Sequence, residues 1–172
     1  MKKSITITDL IMGAGGLVAF IFSFLAFYSF DGLDDLSFNA WDGGLGVAFA
    51  STTPAILGFV MVVWIVLGLV GVKLPSDILT FNHDQLKATW GIGAFGIMLS
   101  WVSVDFGSEA DKGAGFWLMF IGSLAMAVGA VMALLGAGSG TVDLPVGGDE
   151  DGPGSVPPTD PPAAPPAPPA DG

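Results

Sequence analysis

The sequence predicts an all-α membrane protein: a four-transmembrane-helix bundle that ends in a disordered, Pro-rich acidic C-terminal tail. Three observations predict it. A mean hydropathy of +0.71 with only 12% charged residues does not describe a water-soluble globule of 172 residues. Four apolar runs, at about 9–30, 54–72, 84–104 and 114–136, each approach the ~20 residues that a helix needs to cross ~30 Å of hydrocarbon. In the fourth run, Gly115, Gly122, Gly129 and Gly136 recur at every seventh position, with Ala125 and Ala133 beside that line. Seven residues make two helical turns, so these glycines share one face. Glycine costs about 1 kcal/mol relative to Ala inside a water-exposed helix. In lipid the compensation is close approach of another helix, because van der Waals packing drives association there. The transmembrane domain is read as 1–136 and the tail as 137–172.

The first span follows a short basic segment, with Thr6 and Asp9 at the spacing of a capping box. Leu10 to Phe30 is uncharged. It is too long for the apolar region of a usual signal peptide and no A-x-A site follows it, so it is read as a span rather than a cleaved leader. Gly15, Ala19 and Ser23 form a small-residue face, and aromatics crowd its far end. The next loop carries Asp31, Asp34, Asp35 and Asp42, whose spacing matches no EF-hand, so a solvated acidic loop is preferred to a calcium site.

Span two is expected to begin at Pro54, capped by Thr52 or Thr53, and to stop before Lys73 and Pro75. An earlier start would place Pro54 inside an overlong helix. Gly58 and Gly68 read as isolated small positions. His83 stands at the start of the third helix between Asn82 and Gln85, a capping-box spacing; a solvated first-turn residue is preferred to a pH switch. In span three, Thr89, Gly93, Gly96, Ser100 and Ser103 form a second small-residue face, expected to meet the glycine line of span four. Ser100 and Ser103 could line a polar path, although such serines more often bond back to their own helix.

Orientation follows from the lysines. Lys2, Lys3, Lys73 and Lys87 fall on one side of the spans and Lys112 on the other, which puts the N-terminus and the middle loop in the cytoplasm. Four spans then return the C-terminus to the same side. Tyr28, Trp41, Trp101 and Trp117 at the outer boundary, with Phe106 and Phe116, and Trp90 with Phe81 at the inner one, are expected as interfacial anchors. The implied location is the plasma membrane, multi-pass, with both termini cytoplasmic.

Charge divides the chain. Residues 1–136 hold ten acidic residues against all five lysines, net −5, and residues 137–172 hold six acidic residues and no base, net −6. Without a basic surface or a single Arg, nucleic-acid binding is not expected. The tail has too few apolar side chains to offset the entropy of ordering, and its Pro-Pro pairs favour polyproline II. At about 3.1 Å per residue it can reach several tens of ångströms from the membrane. It is either an arm that recruits a partner or a solubilising spacer.

Catalysis needs titratable groups held together, and the chain has one His, no Cys and no HExxH, GxSxG or P-loop pattern. No catalytic residue, metal or cofactor is expected. The layout resembles small, uncharacterised four-span membrane proteins of actinobacteria. The resemblance runs over about residues 8–136 and rests on Phe27-Tyr28, the Ala40-Trp41 pair and Gly115-Phe116-Trp117. It implies a plasma-membrane location and no activity. Two functions are carried forward. One is a non-catalytic scaffold or accessory subunit that packs against itself or another membrane protein and whose tail tethers a cytoplasmic partner; the other is a small oligomeric transport or pore component.

Overall fold

The computed structural model describes residues 3–30, 36–42, 48–75, 77–78, 80–105 and 110–144, and four helices carry the fold. They are α1 (Ile7–Phe22), α2 (Ala48–Leu69), α3 (His83–Val102) and α4 (Ala114–Leu134). Each packs on its sequence neighbours and α4 closes on α1, so the helices form a ring with little contact across the diagonals. Phe49–Leu69 and Ala114–Leu134 are long and apolar enough to cross a membrane. The 16 residues of α1 reach only about 24 Å.

The chain is not purely helical. Short strands close both ends of the ring. At the end where α1 and α3 begin, β1 (Lys3–Thr6) pairs antiparallel with β7 (Thr141–Leu144), and β4 (Asp77–Ile78) with β5 (Phe81–Asn82). At the opposite end β2 (Ala26–Phe30) lies between β3 (Ser37–Asn39) and β6 (Ala110–Lys112). The folded unit therefore reaches Leu144, past the expected boundary at 136. The acidic loop at 31–35, Lys2, Phe106 and the tail from 145 lie outside the described residues.

Helix boundaries differ from expectation for local reasons. The first helix stops at Phe22, not near Phe30, where the chain turns at Ser23 and the aromatic run Ala26–Phe30 becomes a strand. Aromatic residues suit a half-buried pleated surface, and hydropathy alone does not separate strand from helix here. The Ser23 hydroxyl donates to the Phe20 carbonyl at 2.6 Å and accepts from the Trp41 indole Nε1 at 2.8 Å, fixing the corner. The second helix begins at Ala48, with Pro54 inside it rather than at its start. Pro54 offers no N–H to the preceding turn. The hydroxyls of Thr52 and Thr53 both turn back onto the Phe49 carbonyl, in the turn before Pro54.

The other helix ends follow their caps. Thr6 accepts the Asp9 N–H at 3.1 Å, and Asn82 and Gln85 bond each other's backbone at 2.8 and 3.1 Å, a complete capping box. α4 ends in a Schellman arrangement: Gly136 has φ of +67°, its N–H reaches the Ala133 carbonyl, and that of Ala137 reaches Met132. Gly136 thus terminates the helix, and a Cβ there would touch nothing within 4 Å.

The ring is filled by two layers. Toward the end capped by β2, Phe27, Tyr28, Met98, Trp101, Phe116 and Met119 pack together; toward the other, Met12, Met61, Ala88, Ala94, Met126 and Ala130 do. Met12, Met61, Met98, Met119 and Met126 are all fully buried, so every helix sends at least one methionine inward. An unbranched thioether fills irregular gaps between close backbones. The outer faces are also apolar: Leu17, Phe59, Val63, Ile92, Leu99, Ile121 and Val128 stand exposed, so all four helices contribute to one belt.

Candidate functional site

Polar chemistry gathers at the end where α1 and α3 begin. Capping by Thr6 and Asn82 starts the two helices at the same end of the ring, and their early turns hold Asp9, Asp84 and Lys87. The Lys87 Nζ lies 2.6 Å from Asp9 Oδ1 and 2.9 Å from Asp84 Oδ1. Side-chain exposure is 10% for Lys87, 24% for Asp9 and 57% for Asp84, so the Asp9 contact is the more desolvated one. It crosses the ring diagonal that the helix backbones leave open. Both carboxylates sit near helix N-termini, where negative charge is favoured; Lys87 alone would oppose the dipole and is held by its two partners. The Lys87 ammonium is turned inward, onto Asp9 of the diagonal helix.

Two clefts flank this cluster. The larger, about 390 Å³, runs between β1, the end of α2 and the start of α3, with Ser4, Thr6, Asp9, His83 and Lys87 on one side and Trp64, Ile65 and Leu69 on the other. The smaller, about 250 Å³, lies against the end of α4 and includes Thr8, Asp84 and Ser139. His83 is half-buried, with its Nε2 2.6 Å from the Pro75 carbonyl and its ring edge-on to Trp64. Among the described residues no group of three or more His, Asp or Glu side chains is placed to hold a metal ion.

The helix-packing glycines take a different partner from the one expected. A Cβ on Gly122 would lie 2.7 Å from Ala19 N and Gly15 O, and one on Gly15 would lie 2.6 Å from Gly122 O. A Cβ on Gly115 would lie 2.7 and 2.8 Å from the carbonyl oxygens of Leu25 and Ala26, and one on Gly129 would lie 2.7 Å from Met12 Cγ and 3.1 Å from Thr8 O. Gly15 and Ala19, both buried, therefore meet the glycine line, which packs on α1 and the strand that follows it. Span three does not supply the expected face: Gly93 reaches only Leu57 at 3.9 Å and Gly96 reaches nothing within 4 Å. Ser100 is exposed and bonds its own helix at Ile97 O. The α3 contact with α4 includes Gly91, where a Cβ would lie 2.8 Å from Met126 O, and Gly58 is not isolated but backs onto Gly16, whose carbonyl oxygen would lie 2.6 Å from an added Cβ.

The expected interfacial anchors divide. Trp117 is exposed, and Trp41 is partly exposed and stacked on Phe24. Trp90 is half-buried against Trp64. Tyr28 and Trp101, at 2% and 5% exposure, are corrected to core residues, each ring packing on Phe27. The Asp9–Lys87 pair was legible only as two opposite charges, each bordering an apolar run at the start of an odd-numbered helix. Comparison with known proteins gives no family assignment: no family model, no curated protein and no solved structure matches the chain.

Proposed function

We propose that this chain is an integral membrane protein of the cell membrane, its four helices crossing the bilayer with both termini cytoplasmic. In this reading it acts without catalysis, as a scaffold or accessory subunit whose acidic, Pro-rich tail tethers or recruits a partner. The observation that carries the reading is the combination of an apolar exterior on all four helices with an interior filled by methionine and aromatic side chains. Water disfavours such an exterior, since soluble monomers rarely leave contiguous apolar patches beyond a few hundred Å² uncovered. A photoreactive residue at Ala164, in the tail, is expected to cross-link one defined partner in intact cells. Capture of abundant bystanders alone would contradict recruitment.

A further inference from the structure

We propose that the larger cleft binds the head group of a phospholipid bearing a primary ammonium, with the ammonium on Asp9 and an acyl chain along the α2 wall. The inference rests on the bilayer reading above and adds a ligand to it. Asp9 and Lys87, which both line the cleft, present one carboxylate and one ammonium, the complement of a zwitterion. Lys87 takes Asp9 Oδ1, leaving the second carboxylate oxygen for a donor from the cleft. The ammonium of Lys87 has three donors, two of them directed at Asp9 and Asp84, and with the Ser4 and Thr6 hydroxyls it offers partners to a phosphate lying farther out. A zwitterionic head group thus finds both signs of charge in one cleft.

The opposite wall fits the rest of the lipid. Trp64, Ile65 and Leu69 belong to the last turns of α2, continuous with the exposed belt that includes Phe59 and Val63. Gly68 lies in the same wall, and a Cβ there would meet nothing within 4 Å, so the cleft is open at that point. In a bilayer the surrounding lipid is the solvent, and a groove open to the belt is supplied with ligand at high local concentration.

The test uses the purified full chain in mixed micelles holding equal amounts of phosphatidylethanolamine, phosphatidylcholine and phosphatidylglycerol, with bound lipid read by native mass spectrometry. The primary ammonium donates hydrogen bonds, the quaternary one cannot, and the glycerol head group has no cation. One retained phosphatidylethanolamine is expected, favoured about five-fold over each of the others, roughly the worth of one net hydrogen bond. Gly68→Leu fills the cleft without meeting the backbone and is expected to abolish the preference while the melting temperature holds. Asp9→Asn is expected to reduce it. Equal retention of the three lipids, or a preference unchanged in Gly68→Leu, would overturn the proposal. So would displacement of the lipid by free ethanolamine at equal concentration, which would make the site one for soluble amines. A chain that stays in the membrane fraction yet shows no head-group preference removes the lipid site and leaves the bilayer reading standing.

Discussion

Gly122→Leu is expected to prevent assembly of the bundle, whereas Gly96→Leu is expected to leave it intact. At position 122 the new Cβ would lie 2.7 Å from both Ala19 N and Gly15 O, atoms of a helix backbone that no rotamer change can move. Overpacking costs about 1–3 kcal/mol where side chains can adjust; a backbone obstacle belongs at or above the top of that range, enough to separate α1 from α4 in a marginally stable protein. At position 96 no atom lies within 4 Å, so the change should fall within about 0.5 kcal/mol of neutral. Gly129→Leu falls between, because its nearest obstacle is the flexible Met12 side chain. Thermal melts of the purified chains in mild detergent rank the three. A Gly96→Leu loss equal to that at 122 would return the seam to α3.

Lys87→Met is expected to cost about 2–4 kcal/mol, somewhat below the 3–5 typical when one partner of a fully buried pair is removed, because Asp9 keeps some contact with solvent. The cost arises from stranding a carboxylate, not from losing an attraction. Adding Asp9→Asn to Lys87→Met should therefore recover at least half of the loss, a coupling that a double-mutant cycle measures directly. Asp84→Asn should cost at most about 1 kcal/mol, since that partner is mostly in water. If Lys87→Met melts with the unchanged protein, or Asp9→Asn fails to rescue it, the pair does not hold α1 to α3.

Four helical segments were legible because hydropathy and length are summed over many residues and tolerate local ambiguity. The capping residues at Thr6 and Asn82 were legible too, since a cap depends on atoms three residues away. What was not legible depends on distant contacts. The end of α1 at Phe22 is set by pairing of Ala26–Phe30 with two strands from other loops, and nothing in the run itself distinguishes strand from helix. Pro54 reads as a helix start by propensity, yet the helix begins six residues earlier, at Ala48. Glycine periodicity showed which face of α4 is narrow but not which helix uses it: Gly91, outside the small-residue pattern taken for span three, is the residue that touches α4. Aromatic residues near a span's end look alike whether they sit in an interface or a core, and only the fold shows that Tyr28 of β2 and Trp101 of α3 pack into one core with Phe27 and Phe116. The ion pair joins residues 78 positions apart, a separation no local pattern encodes.

If the bundle crosses the bilayer as proposed, its two capped ends lie on opposite sides of the membrane. The chain has no cysteine, so single substitutions report cleanly. Ser37, in β3, and Ser139, after α4, are both exposed, one at each end. With an impermeant maleimide on intact cells, Ser37→Cys is predicted to label at once and Ser139→Cys only after permeabilisation. Equal labelling of both positions before permeabilisation would contradict the claim.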